Sequence, residues 1–272
     1  MTSKETPTAS KYEASTPSGG RRVQVDVAGV HIDVVRRYEV VDDISAAIAA
    51  RRRFRVYFVN PHTVNLACAN DGFRAILNRA ERACADGIGV VWAGRLLSGM
   101  TLEQVSTDLL APGLFSRASA AGWGVFLLGA TTDVCEQAAA NLAHQYPGLR
   151  VVGCYSPPFT AIEQMNNDDI ARRVNAAHPE ILLVAMGNLK QEPWIDANAG
   201  RLDVPVILTA GGYLDYVAGN VKYAPNWCHR LNVVWVFRLV QEPRRLWKRY
   251  LLGIPLFLGH VAGSWFRSRT AA

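Results

Sequence analysis

Residues 23–35, VQVDVAGVHIDVV, alternate apolar and polar side chains about a glycine, the pattern of a half-buried β-hairpin. A helix is expected next, at about residues 42–52, with Asp42 or Asp43 as its cap. FRVYFVN (54–60) reads as a strand running into a loop, and residues 71–84 carry apolar positions at helical spacing. The second half is more regular. WGVFLLG (123–129), RVVGCYS (150–156), EILLVAMG (180–187) and VPVILTAG (204–211) are predicted strands, separated by helices at about 132–145, 167–177 and 191–201. These strands are unbroken apolar runs, as expected when helices cover both faces of a parallel sheet. The expected fold is therefore α/β: a doubly wound, Rossmann-like parallel sheet with an N-terminal α/β lobe and a basic helical appendage at the C-terminal end.

Composition adds the boundaries. Half of the 272 residues are hydrophobic, enough for a full core. Residues 1–22 are rich in Ser, Thr and Pro and lack the apolar centre of a signal peptide, so a disordered tail is expected there. The main domain then spans 23–221 and the appendage 222–272. The five cysteines (Cys68, Cys84, Cys135, Cys154, Cys228) form no CxxC pair and have no histidine at zinc-ligand spacing, which points to reduced thiols and no metal site.

Charge changes the picture more than its total of +6 suggests. From Lys222 onward nine basic side chains stand against Glu242 alone, whereas residues 1–221 carry 20 basic and 22 acidic ones. The basic residues of 222–250 interleave with Trp227, Trp235, Phe237, Trp247 and Tyr250. Arg244 with Lys248, and Arg245 with Arg249, are i,i+4 pairs of like charge that repel on a free helix, so an anionic surface is the natural partner. Residues 250–266 are apolar but shorter than the ~20 needed to span a bilayer, and Pro255, Gly259 and His260 interrupt them. Such a segment is expected to lie in a membrane interface rather than cross it. It could equally serve self-association, and the basic face could simply cover its own domain. No helix-turn-helix or aromatic RNA-binding signature supports a nucleic-acid partner.

In a doubly wound sheet, ligands bind beyond the carboxyl ends of the strands. Those ends carry Asn60 with Thr63 and Asn65, Gly129 with Thr131 and Thr132, Gly187 with Lys190 and Gln191, and Gly211 with Gly212. Each set also suits ordinary turn and cap chemistry. There is no GxxxxGK[ST] phosphate loop, dinucleotide fingerprint, GxSxG elbow or HExxH pair. Asp168 and Asp169 are adjacent and read as helix-start residues rather than a DxD metal pair. Asp86, directly before Gly87 and an apolar run, is either a turn residue or a catalytic acid.

The ordered segments ADGIGVVWAGRLL (85–97), FLLGA (126–130), ILLVAMGNLKQEPWI (181–195), AGGYLDYVAGNVKYAPNW (210–227) and WVFRLVQEPRRLWKRY (235–250) resemble the WecG/TagA/CpsF glycosyltransferase family, also called glycosyltransferase family 26. The likeness covers about residues 23–252. It implies an inverting transfer from a UDP-sugar to a saccharide on polyprenyl diphosphate, by a peripheral enzyme at the cytoplasmic face of the bacterial inner membrane, without cofactor or metal. On the matching positions it implies that Asp86 is the general base and that Thr63 and Asn65 meet the acceptor. Gly129, Gly187, Lys190, Gln191, Glu192, Gly211, Gly212 and Asp215 would face the nucleotide-sugar. Arg238, Arg244, Arg245, Lys248 and Arg249 would contact membrane or lipid diphosphate.

Three positions depart from the family pattern. The usual PKQE reads Asn188-Leu189-Lys190-Gln191, the arginine before VTG is absent in Gln104-Val105-Ser106-Thr107, and Leu-Glu-Trp reads Val233-Val234-Trp235. They turn the expected donor toward UDP-glucose, as in the xanthan-type exopolysaccharide branch. The alternative is a UDP-N-acetylmannosamine or N-acetylmannosaminuronic acid transferase of teichoic acid or common antigen type. An alternative of another class is an inactive scaffold that binds nucleotide-sugar or partner enzymes.

Overall fold

The computed structural model describes residues 22–158, 160–187 and 189–270. All but Arg22 of the expected N-terminal tail, and Asn188 of the altered PKQE segment, lie outside the described residues. The chain opens with the expected hairpin, β1 (Gln24–Val27) and β2 (Val30–Asp33), paired antiparallel. The first helix, α1 (Arg37–Ala49), begins earlier than expected. Glu39 reaches back to the Arg36 amide at 2.7 Å and supplies the N-terminal partner. Asp42 and Asp43 are consequently not caps but mid-helix residues, paired with Arg117 at 3.3 Å and Arg82 at 2.8 Å.

After β3 (Phe54–Val59) come α2 (Pro61–Ala69) and α3 (Asp71–Asn78), then β4 (Arg82–Ala85). The helix expected over 71–84 thus ends at Asn78, and its last residues are a strand. The short apolar run of β4 pairs in parallel with β3, and its Ala83 amide donates to buried Asp33 at 2.7 Å. That bond ties the hairpin to the sheet. The loop expected after β3 is helical, because Asn60 caps α2 and Pro61 occupies its first turn.

The remaining elements are α4 (Ile88–Ser98), α5 (Thr107–Ala121), β5 (Gly124–Gly129), α6 (Thr132–Gln145), β6 (Arg150–Tyr155), α7 (Asn167–Ala176), β7 (Ile181–Ala185), α8 (Gln191–Asn198), β8 (Val206–Thr209) and α9 (Tyr213–Ala218). The six long-range strands form one sheet in the order β4-β3-β8-β7-β5-β6, every neighbouring pair parallel. Side chains alternate between two cores, one on each face: Tyr57, Leu182 and Trp194 in one, Phe58, Leu183 and Phe115 in the other. This is the doubly wound α/β sheet expected from the apolar runs.

The C-terminal segment continues as α10 (Asn226–Arg230), α11 (Val234–Gln241), α12 (Pro243–Trp247), a π-turn over Lys248–Leu252, and α13 (Gly253–Thr270). Helix α13 packs across α2 and α4, burying Phe257 and Val261. Gly89 permits the approach: a Cβ there would lie 2.9 Å from Pro61 and 3.7 Å from Phe257. Among the described residues no helix is long and apolar enough to cross a membrane.

Candidate functional site

All six parallel strands end on one edge, and the polar residues singled out from the sequence collect there. Asp86 follows β4 directly; its amide extends the ladder by donating to Val59 of β3 at 2.8 Å. The chain then turns through Gly87 at φ +90°, a conformation that favours glycine, into α4. Gly87 is the cap position, and no side chain caps this helix. The Asp86 carboxylate is therefore not a helix cap. Half-buried, it meets the side chain of Asn60, whose Nδ2 lies 3.4 Å from its Oδ2.

Burial pushes the Asp86 carboxyl up to about 6, and the negative charge of Asp108 adds to the rise. Arg249, the Asn60 hydrogen bond and Arg238 work in the opposite direction. A carboxylate poised near neutrality at the sheet edge suits general-base chemistry. Asp108 occupies the first turn of α5, where Ser106 Oγ donates to it at 2.5 Å. Beside Asn60, desolvation and the Arg249 charge depress His62 to about 4, so its imidazole is neutral near pH 7.

Two cations of the C-terminal segment act on this carboxyl. Arg249, on the π-turn, has its guanidinium pushed below the usual range by burial, an effect opposed by Tyr250 and Asp86. Arg238, on α11, lies with Cζ 5.4 Å from the Tyr216 ring centroid, and its Nε is buried without a hydrogen-bond partner. The Tyr216 ring stacks on Tyr223 at 5.0 Å. The other predicted lipid contacts face elsewhere. Arg245 pairs with Glu242 at 3.0 Å, Arg244 is exposed, and Lys248 lies over the Trp247 ring at 5.6 Å.

The Thr63 and Asn65 pair divides. Thr63 is fully buried in the first turn of α2, its amide donating to Asn60 Oδ1 at 3.1 Å. Asn65 donates through Nδ2 to the Gly253 carbonyl at 2.7 Å and so ties α2 to the start of α13. The amide beside the carboxylate is that of Asn60, which the sequence places at the strand end without giving it a role. Its proximity to Asp86 depends on the β3–β4 pairing, a contact absent from local pattern.

The expected donor residues lie further along the same edge. Gly129, Ala130, Pro157, Pro158, Met186 and Lys190 line a narrow opening past β5 and β7. Gly129, at φ +116°, must lack a side chain, since a Cβ would run into the Ala185 backbone. Gly187 turns the chain at φ +81°, and Lys190 Nζ donates to the Thr160 carbonyl at 3.3 Å. Gln191 and Glu192 are buried and turned to one another, with Gln191 Oε1 also accepting from the Gly211 amide at 3.1 Å. Asp215, half-buried and raised by desolvation, lies beside Gly212 and within the field of Arg245 and Arg238.

A family model described as "Glycosyl transferase WecG/TagA/CpsF family" matches residues 25–271. The N-acetylglucosaminyldiphosphoundecaprenol N-acetyl-beta-D-mannosaminyltransferase of Staphylococcus aureus strain MW2 is 28% identical over 241 residues, covering 88% of this chain and 92% of that protein. The protein of the same name from strain COL matches with the same identity and coverage.

Proposed function

The chain belongs to the WecG/TagA/CpsF family of glycosyl transferases, and from that premise we propose that it moves an N-acetylmannosaminyl group from a UDP-activated donor to a sugar carried on polyprenyl diphosphate. The S. aureus relatives, named for transfer of N-acetyl-β-D-mannosaminyl to N-acetylglucosaminyldiphosphoundecaprenol, support this donor over the UDP-glucose expected from the sequence departures. Those departures are a poor guide to the sugar for a physical reason. A lost loop proline and a lost arginine alter backbone shape and anion contact, whereas hexoses are told apart by bonds to individual hydroxyl or acetamido groups.

The observation that carries the mechanism is Asp86, raised to about 6 at the sheet edge, braced by Asn60 and within the field of two half-buried arginines. In this reading the carboxylate accepts the proton of the acceptor hydroxyl as that oxygen attacks the anomeric carbon. UDP departs from the opposite face, and the configuration inverts. Arg249 and Arg238 counter the charge of the lipid diphosphate beside the reacting centre. Exposed Trp92 and Leu96 on α4, with Leu252 and Leu256 beside the C-terminal cations, support docking on a bilayer surface.

Radiolabel transfer from a panel of UDP-sugars to a synthetic N-acetylglucosaminyl diphosphate lipid tests the proposal. Label is expected from UDP-N-acetylmannosamine. Label from UDP-glucose alone would overturn the donor assignment, and UDP binding without product from any donor would favour a scaffold.

A further inference from the structure

Glu192 and Gln191 are adjacent residues in the first turn of α8, yet both side chains point inward, 1% and 3% exposed. Gln191 Nε2 donates to Glu192 Oε1 at 2.8 Å, while its Oε1 accepts from the Gly211 amide at 3.1 Å. A side-chain amide has one donating and one accepting end, and here each end has a fixed partner. Reversing it would set oxygen against oxygen at Glu192 and N–H against N–H at Gly211. The carboxyl group of Glu192 and the N–H of Gly211 therefore together hold the Gln191 amide in one orientation.

A carboxyl group is a costly residue to keep inside a protein. Glu192 Oε2 has no hydrogen-bond partner among the described residues, and burial pushes the group up to about 7 despite the Gln191 bond and nearby backbone amides. A leucine would fill the space at lower cost, so retention of the acid points to a job beyond packing. The structure shows what it holds. Gly211, at φ +53°, and Gly212 form the turn between β8 and α9. A Cβ on Gly212 would lie 3.8 Å from both Arg238 Nη2 and Asp215 Oδ2. The turn is thus wedged between the Gln191 amide on one side and the arginine that senses Asp86 on the other.

We propose that Glu192 is a positioning residue, which orients the Gln191 amide so that it pins the Gly211–Gly212 turn in the shape that receives the uridine diphosphate moiety of the donor. This rests on the proposed reading of that turn as part of the donor site. It assigns Glu192 no contact with substrate.

Calorimetric titration of UDP into the full-length protein tests the inference without requiring the transferred sugar to be known. Glu192→Gln keeps an acceptor oxygen and is expected to bind UDP within about twofold of the wild type. Glu192→Leu and Gln191→Leu are each expected to weaken binding by about tenfold, the scale of one lost hydrogen bond. Because Glu192 acts through Gln191, the double variant should bind no worse than Gln191→Leu alone. A folded Glu192→Leu variant with wild-type affinity, or losses that multiply in the double variant, overturns the inference. So does a Glu192→Gln loss as large as that of Glu192→Leu. If Glu192→Leu does not fold, wild-type affinity in Gln191→Leu overturns it alone. A wild-type protein that fails to bind UDP removes the functional reading itself, and this inference with it.

Discussion

Asn60 uses both ends of its amide: Oδ1 accepts the Thr63 backbone N–H at 3.1 Å and caps α2, while Nδ2 lies 3.4 Å from Oδ2 of Asp86. The bond to Asp86 favours the ionised carboxylate and so lowers its pKa. Asn60→Ala removes both interactions. The lost cap should cost about 1 kcal/mol of stability. The limb of kcat/KM that rises as Asp86 deprotonates, centred near pH 6 in the wild type, should move to higher pH. Thermal unfolding with a pH–rate profile checks both; an unmoved limb would show that Asn60 does not touch the working base.

Asp86 itself should combine a functional gain with a structural cost. Asp86→Asn is expected to lower turnover by ~100-fold or more with the fold intact, the usual scale for a general base. Stability should change in the opposite sense. The carboxyl is raised from 3.8 to about 6 on folding, so the folded state holds the proton more tightly. Wild-type stability therefore falls as pH rises between those values, and the loss is complete above the folded pKa. At pH 7 to 8 the Asn variant should unfold at a temperature no lower than the wild type. A clear drop would mean that the carboxylate is a structural bond rather than a strained catalyst.

The sheet edge could be read from the sequence because it leaves a local signature, whereas the local residues alone leave Asp86 open between turn and acid and only the family resemblance gives it a role. Continuous apolar runs mark β5, β7 and β8, and helix α6 occupies the expected residues 132–145. Local pattern failed where tertiary pairing decided the outcome. Residues 82–85 continue an apolar rhythm that reads as helix, but β3 and Asp33 recruit them as a strand. Helix α2 leaves little trace in the sequence because PHTVNLACA is poor in strong helix formers and depends on Asn60 and Pro61 to start. The same limit applied to the site. Arg238 and Arg249 were visible as tail cations, but their approach to Asp86 exists only once the C-terminal segment folds back over the sheet edge.

Asp108 offers a test in the opposite direction from Asn60. Its negative charge raises the Asp86 pKa, so Asp108→Asn should shift the basic-rising limb of kcat/KM to lower pH. The shift should shrink in high salt, as charge effects between partly exposed groups do. Asn retains an acceptor for Ser106 Oγ, so the first turn of α5 should survive. A limb that moves upward would remove Asp108 from the electrostatics of the site.

The C-terminal cations divide into two groups, and the division predicts separable defects. Arg244 and Lys248 are exposed, whereas Arg249 is turned toward Asp86. Each exposed cation near an anionic bilayer contributes roughly 1 kcal/mol. The double variant Arg244→Ala, Lys248→Ala should thus bind phosphatidylglycerol vesicles at least about tenfold more weakly at low salt. Its turnover on a short-chain, water-soluble diphosphate acceptor should stay within about twofold, because neither side chain acts on the Asp86 carboxyl. Arg249→Ala should do the reverse. Vesicle binding is retained, turnover falls, and the Asp86 limb moves to higher pH because the cation that favoured the ionised carboxylate is gone. Vesicle sedimentation run beside soluble-acceptor kinetics separates the two. If both variants lost vesicle binding and soluble turnover in the same proportion, the tail would be acting as one unit and the inward–outward division would fail.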